Sequence, residues 1–270
     1  MSYKNEKVSI IIPTYKRPFF LKRIIENLNE QTYKNLEIII VDDNKKDSTE
    51  KKETSNEIQK IIEIYKNLEI KYISNYDNKG ANYSRNVGVK NAQGKFISFL
   101  DDDDEYLSNR IEIMMKKINE KDFDMVCCDW EKVIFKRKSL KKLNVKDQIK
   151  DFEVSFEQIL TNNIIGGASL VLMKKEVFNS IHGFDINLVS CQDWDLYIRI
   201  IKSGYRVLKL KDKLVRYNIH LGERISTNRN KVIKGHLYIK NKYYEDRKQI
   251  SNIKKILFNL KLLKQYLKFI

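Results

Sequence analysis

The stretch that decides the fold is K-F-I-S-F-L-D-D-D-D-E-Y, Lys95 to Tyr106. Phe96, Ile97, Phe99 and Leu100 form a short apolar run that reads as a buried strand. The run stops on Asp101, Asp102, Asp103 and Asp104, with Glu105 behind them. Four adjacent carboxylates repel one another, so the end of a core strand holds them only beside a cation or positive groups. Oxygen donors at this density suit a hard divalent ion, Mg2+ or Mn2+. In open α/β sheets, ligands bind outside the carboxyl ends of the strands, which is where these acids lie. The plain alternative is a solvated acidic turn, and the buried strand in front argues against it.

Working outward, Val8 to Ile12 is apolar enough to be a strand buried on both faces, and Pro13-Thr14-Tyr15 ends it. A helix starts at Pro18, with Leu21, Ile24, Ile25 and Leu28 at helical spacing. Leu36 to Val41 is a second strand ending on Asp42-Asp43. A polar helix with Ile58, Ile61, Ile62 and Tyr65 as its buried stripe leads to a third strand, Glu69 to Ile73. In G-A-N-Y-S-R-N-V-G-V-K-N-A-Q-G, Gly80 to Gly94, the small Ala81, Gly88 and Ala92 predict a helix packed closely on the sheet. Arg85 on that helix is either a solvated side chain or a guanidinium facing the acidic cluster or a phosphate. Strands alternate with helices four times, which predicts a parallel α/β sheet. Such a sheet brings the Pro-Thr-Tyr, Asp-Asp and four-Asp strand ends to one edge, as one polar crevice.

The second half is less regular. Ser108 is a candidate N-cap for a helix buried through Ile111, Met114, Met115 and Ile118. Asp124 to Cys128 reads as a strand, Lys132 to Lys150 as a basic loop or hairpin, and Ser169 to Met173 as a strand. A short helix over Lys174 to Ser180 and a His182-Gly183-Phe184-Asp185 turn follow. In C-Q-D-W-D-L-Y-I-R-I-I-K-S-G, Trp194, Tyr197, Ile198 and Ile201 make a helical stripe, and Gly204 caps the C-terminus. Asp193 and Asp195 sit at the start, where the helix dipole favours anions, and that role alone suffices for Asp195. Arg206 to Leu210 and Leu214 to Tyr217 read as two short strands. Beyond Leu221 the chain is basic and helical, and Ile253, Ile256, Leu257, Leu260, Leu263 and Leu267 form an apolar face. That face suits an anionic membrane surface, the chain's own domain, or a second copy.

The 270 residues carry a formal charge of +16, with 42% hydrophobic and 11% aromatic residues. A sizeable core can form, and disorder is excluded as the main state. The charge implies anionic partners: nucleotide phosphates, lipid headgroups or nucleic acid. Cys127, Cys128 and Cys191 lack metal-site spacing and favour a reducing compartment, so the expected location is the cytoplasm. The N-terminal M-S-Y-K-N-E-K has no signal-peptide core, and no apolar run approaches ~20 residues, so no membrane span is expected.

Five pieces of this chain resemble family 2 glycosyltransferases: I-I-I-P-T-Y-K-R from Ile10, I-I-V-D-D-N from Ile39, G-A-N-Y-S-R-N-V-G from Gly80, F-L-D-D-D-D-E from Phe99, and H-G-F-D with Q-D-W-D-L from His182 and Gln192. They follow the family's order and span roughly residues 8 to 220. The resemblance implies a GT-A fold: a mixed, mainly parallel Rossmann-like α/β sheet flanked by helices. Residues 1–220 would be the catalytic domain, with 1–105 the nucleotide-sugar half and 106–220 the acceptor half. Residues 221–270 would be a helical, basic C-terminal extension.

The resemblance also implies site roles. Pro13, Thr14, Tyr15 and Asp43 fall where the family holds the base, most often uracil, and Arg85 where a basic side chain nears the nucleotide. Asp101 and Asp103 match the D-x-D signature, with Asp103 the direct ligand of Mn2+ or Mg2+ and Asp102 at the ribose. Asp193 matches the general base. His220, in Y-N-I-H, falls where some members place a residue near the diphosphate and its metal. The implied reaction is inverting transfer of a hexosyl or N-acetylhexosaminyl group from a UDP-sugar to a glycan, glycoprotein or lipid-linked acceptor. Nucleic acid is not an expected partner, and the C-terminal helices would meet a membrane or another copy of the chain. Lys45-Lys46 and Gln192 depart from the family's usual residues without touching this chemistry. A metal-dependent nucleotidyltransferase is the competing enzyme class, but P-T-Y-K-R-P does not resemble its phosphate loop. A nucleic-acid-binding protein would account for the charge and not for the acids.

Overall fold

The computed structural model describes residues 6–136, 139–143, 150–219 and 228–250. Its first half is built from β1 (Val8–Thr14), α1 (Pro18–Asn29), β2 (Leu36–Asp42), α2 (Thr49–Ile64), β3 (Glu69–Ser74), α3 (Ala81–Lys90) and β4 (Phe96–Phe99). β1 pairs in parallel with both β2 and β4, and β2 pairs in parallel with β3. The alternation of apolar strands with amphipathic helices therefore gives the expected parallel sheet, with strand order β3-β2-β1-β4. The order reverses beside β1, which opens a crevice between the carboxyl ends of β1 and β4.

The second half adds β5 (Asp104–Tyr106), α4 (Arg110–Glu120), β6 (Met125–Lys136), β7 (Ser139–Leu143), β8 (Phe152–Glu153), α5 (Phe156–Thr161), β9 (Val171–Lys174), α6 (Lys175–Ser180), α7 (Gln192–Lys202), β10 (Val207–Ile219), α8 (Arg229–Lys242) and α9 (Tyr244–Lys248). The strands described form a single ten-stranded sheet, continuing β4-β9-β6-β10-β5, with β7 on β6 and β8 on β10. β9 runs antiparallel to both β4 and β6, so the sheet is mixed. This is the GT-A architecture implied by the sequence.

Both faces of the central strands β1, β2, β4 and β9 are buried, as their continuous apolar sequences require. On β1 and β2, Ile10, Ile12, Ile38 and Ile40 face one layer with α1, α2 and α4, while Ile11, Ile39 and Val41 face the other. That second layer holds α3, α5, α6, α7 and α8, whose Ile239 is fully buried. Gly88 is what seats α3: a Cβ there would collide with the Ile11 side chain.

Several local expectations are corrected. α4 starts at Arg110 with Asn109 at the N-cap position and no side-chain cap; the Ser108 carbonyl instead accepts from Thr32 N at 2.8 Å. The Ser169 to Met173 strand begins at Val171, after a 3-10 turn over Ala168–Leu170. The two strands expected over Arg206 to Leu210 and Leu214 to Tyr217 are one, β10 (Val207–Ile219), its register against β6 shifting between Lys209 and Val215. Ile62 is exposed rather than part of the buried stripe of α2. The basic stretch after Lys132 is a hairpin where it is described, β6 against β7. The apolar face from Ile253 to Leu267 lies outside the described residues.

Candidate active site

Register builds the crevice. β1 and β4 set Ile11 opposite Phe99, so three residues further on Thr14 meets the acidic run. Its Oγ1 donates to Asp102 Oδ2 at 3.1 Å. On the other side Thr14 pairs with Asp42. The three strand ends therefore converge as the sequence predicts.

The acids are separated by role. Asp101 and Asp103 remain partly open, with side chains 35% and 15% exposed, while Asp102 between them is buried. Asp104 turns away into β5, opposite Tyr217 of β10. Each remaining acid meets an arginine. Arg85 Nη2 donates to Asp101 Oδ1 at 2.6 Å. Arg17 Nη1 reaches Asp102 Oδ1 at 2.8 Å and Asp103 Oδ2 at 3.4 Å. Glu105 lies 3.5 Å from Arg23 and 3.9 Å from Arg216. The positive groups demanded by four adjacent carboxylates are thus supplied by the protein itself. Burial pushes the Asp102 carboxyl up to about 7 against the pull of Arg17, with Asp103 and Asp101 adding to the rise.

Arg85 faces the acids and not solvent. It is buried across the ring of Phe184, 5.4 Å from guanidinium carbon to centroid, and its Nε and Nη1 have no hydrogen-bond partner. Asp193, in the first turn of α7, also acts on it electrostatically. Asp193 is half-buried, and its Oδ1 is buried with no hydrogen-bond partner. Dense packing pushes its carboxyl up to about 6; Arg85 opposes the shift and Asp101 adds to it. Arg85 is thus ion-paired with Asp101 and lies close enough to Asp193 for the two to interact electrostatically.

Asp43 is engaged differently from its neighbours. Its Oδ1 accepts from Asn75 Nδ2 at 2.8 Å and Lys79 N at 3.0 Å, and its Oδ2 from Gly80 N at 2.7 Å. The carboxylate thereby fixes the loop between β3 and α3. Pro13 lies within β1 opposite Val41, and Tyr15, just past the strand, leaves its ring 42% exposed at the crevice rim. His220 lies outside the described residues.

Asp195 corrects its expectation. It is 0% exposed, so it is no solvated charge at a helix terminus. It accepts from Arg199 Nε at 2.8 Å, Lys242 Nζ at 2.7 Å and Tyr243 OH at 2.8 Å. The sequence reading also missed Arg17, although the charge arithmetic of the acidic run called for such a cation. It missed Asn82, whose Nδ2 donates to the carbonyls of Asp185 and Leu188 at 2.9 Å each.

The sequence model of the family described as "Glycosyl transferase family 2" matches residues 9–181, which include the strand ends, Arg85 and the acidic run. This chain is a member of glycosyl transferase family 2. An uncharacterized glycosyltransferase of Haemophilus influenzae is 29% identical over 91% of this chain and 80% of its own length. One from Rickettsia prowazekii is 32% identical over 83% and 68%. A Campylobacter jejuni GalNAc(5)-diNAcBac-PP-undecaprenol beta-1,3-glucosyltransferase is 41% identical, over 42% of this chain and 35% of its own. Among solved structures, S. aureus TarS 1-349 in complex with UDP-GlcNAc superposes with a TM-score of 0.70 at 20% identity, covering 97% of this chain and 73% of that one. The chain spans 44% of a longer TarS chain. The Pyrobaculum calidifontis mannosyltransferase PcManGT, in complex with GDP-Man and Mn2+, superposes at 0.67 with 15% identity over 97% of this chain and 72% of its own. At these identities the structural likeness is one of fold. This glycosyltransferase carries Asp193 beyond the matched segment, so the role of that residue rests on the geometry of the crevice. No helix among the described residues is long and apolar enough to cross a membrane.

Proposed function

We propose that this glycosyltransferase moves a hexosyl or N-acetylhexosaminyl group from a UDP-sugar to a hydroxyl of a glycan, glycoprotein or lipid-linked acceptor, with inversion. The observation that carries this reading is the cluster at the acidic strand end, where Arg85 is ion-paired with Asp101 and interacts electrostatically with Asp193, and where Arg85 Nε and Nη1 and Asp193 Oδ1 have no hydrogen-bond partner. A buried guanidinium with free N–H groups suits a diphosphate. UDP-GlcNAc in TarS and the glucosyltransferase of C. jejuni support the donor class and a lipid-linked acceptor.

The base of the donor lies against Pro13, Thr14 and Tyr15 at the end of β1, beside Asp43, and Asp102 faces the ribose. Asp101 and Asp103 fit a divalent ion such as Mn2+ or Mg2+. Both carboxylates supply hard oxygens and stay partly exposed on either side of buried Asp102 in the sequence, and two carboxylates leave room in the shell for phosphate oxygens and water. When bound, the ion supplies Lewis-acid stabilisation of the departing diphosphate. Mn2+ in PcManGT supports this choice. His220 is a further candidate near the diphosphate.

The remaining chemistry belongs to the chain. The Asp193 carboxylate takes the acceptor proton as the new bond forms at the anomeric carbon, because a sugar hydroxyl is too weak an acid to attack unaided. A base opposite the leaving group gives direct displacement, and an α-linked donor yields a β-linked product. Arg85 holds the diphosphate on one side and keeps Asp193 ionised on the other. The three described cysteines are free, which supports a cytoplasmic site of action, with the apolar tail face meeting the membrane or a second copy. Thermal melting with UDP and Mn2+ tests the donor reading: UDP with metal raises Tm, UDP alone does so less, and RNA leaves it unchanged. Equal shifts with RNA would overturn it.

A further inference from the structure

We propose that α8 is a brace for the general base: Lys242 and Tyr243 close on Asp195 and hold the first turn of α7, so that Asp193 stays against Arg85. The proposal rests on the reading of Asp193 as the base.

Asp195 lies two residues after Asp193, on the other side of the same helical turn. One carboxylate faces the crevice and the other faces α8. A fully buried carboxylate is costly unless its oxygens are satisfied. Here one ligand is local, Arg199 Nε at 2.8 Å, and two come from the α8 end, Lys242 Nζ at 2.7 Å and Tyr243 OH at 2.8 Å. Without α8, Asp195 would keep a single partner and the turn would lose its anchor.

The brace makes further contacts along the segment that leads into α7. Tyr238 OH donates to Asp185 Oδ2 at 2.8 Å. A Cβ on Gly235 would come within 2.7 Å of the Ser190 carbonyl oxygen, so α8 lies directly on that backbone. His236 Nδ1 is 3.5 Å from Cys191 Sγ, and its ring stands edge-on to Trp194 at 5.8 Å. Cys191 has a left-handed backbone, φ 61°, which a non-glycine residue keeps only when its surroundings enforce it. The α7 N-terminus is therefore held from outside, by a helix that touches neither the acidic run nor Arg85 through any hydrogen bond or ion pair described.

The test uses the full chain with Tyr243→Phe, Lys242→Met and Lys242→Arg. Hydrogen exchange across residues 190–196 reads the brace without depending on activity, and turnover of a UDP-sugar that the wild type hydrolyses reads the base. Tyr243→Phe and Lys242→Met should speed exchange in that segment while β1 and β4 stay protected. They should lower kcat by roughly ten- to a hundredfold, as expected when a catalytic group loses its alignment, with donor KM within about twofold. Lys242→Arg should restore most of kcat. Unchanged exchange in both Tyr243→Phe and Lys242→Met overturns the brace. Faster exchange with unchanged kcat also overturns it, and Asp193→Asn measured alongside separates the causes. If Asp193→Asn is inactive, only the brace has failed; if it is active, the base assignment has failed as well. Tyr243→Phe removes a single hydroxyl, so the test stands even if Lys242→Met does not fold.

Discussion

Arg85 donates from Nη2 to Asp101 at 2.6 Å while its Nε and Nη1 make no hydrogen bond. An arginine in this position neutralises an acid at the strand end and leaves two buried nitrogens without a hydrogen-bond partner. It also opposes the rise of the Asp193 carboxyl.

Asp103→Ala should abolish the metal-dependent part of UDP binding and of donor turnover. Arg17 keeps its stronger partner, Asp102 at 2.8 Å, so the metal-free variant should unfold within about 1 kcal/mol of wild type, as for a partly exposed ion pair. Calorimetric titration of UDP with and without Mn2+ decides the point. Metal-dependent affinity equal to wild type would remove Asp103 from the site.

Asp195→Asn should be a stability variant as much as a kinetic one. It removes the charge that Lys242 and Arg199 share in a buried setting, a loss of about 3 kcal/mol by the usual cost of breaking such a pair. Urea unfolding measures it. A variant as stable as wild type would mean that Asp195 is not the anchor described.

Much of this arrangement was legible in the sequence. The apolar runs ending at Thr14, Asp42 and Asp101 fixed a parallel sheet with one acidic edge, because buried strands leave no second assignment. Arg85 was legible only as a choice between a solvated side chain and a guanidinium facing the acids, which its burial and its bond to Asp101 decide. Asp195 was not, since its partners Lys242 and Tyr243 lie on a distant helix whose own sequence reads as a basic surface. The length of β10 was hidden by Lys211-Asp212-Lys213, which reads as a turn and is accommodated as a shift of register. Ser108 has the chemistry of a cap, but its backbone is tied to Thr32 instead.

The pH dependence follows from the raised Asp193 carboxyl. Transfer should be low below pH 5, rise through about pH 6 and level off above it, because only the ionised form accepts a proton. The stability contribution has the opposite sense. Between about pH 4, the ordinary carboxylate range, and about pH 6, the unfolded chain has released a proton that the folded chain still holds. This residue therefore makes the fold less stable as pH rises through that window, and Asp193→Asn should flatten that part of the profile. A stability difference between variant and wild type that does not change from pH 4 to pH 7 would contradict the shift.

Two truncations should separate the C-terminal segment into parts. Deleting residues after Asn252 should leave donor hydrolysis intact and change liposome binding or oligomeric state, since no donor motif lies there. Deleting from Asn228 should prevent folding, because Ile239 and Tyr243 belong to the core packed against α7. Flotation with anionic vesicles, light scattering and soluble yield distinguish the outcomes. Loss of donor hydrolysis in the shorter deletion would draw the tail into the catalytic unit.

The most direct test of the account is the transfer rate of Asp193→Asn set beside its affinity for UDP with Mn2+. Asparagine keeps the size of the side chain and removes the proton acceptor. The account predicts a fall in transfer of roughly two to four orders of magnitude, the range of general-base catalysis, with donor and metal affinity unchanged. Transfer within about tenfold of wild type would contradict it, because the base would then lie elsewhere and the inverting mechanism would lose its principal residue.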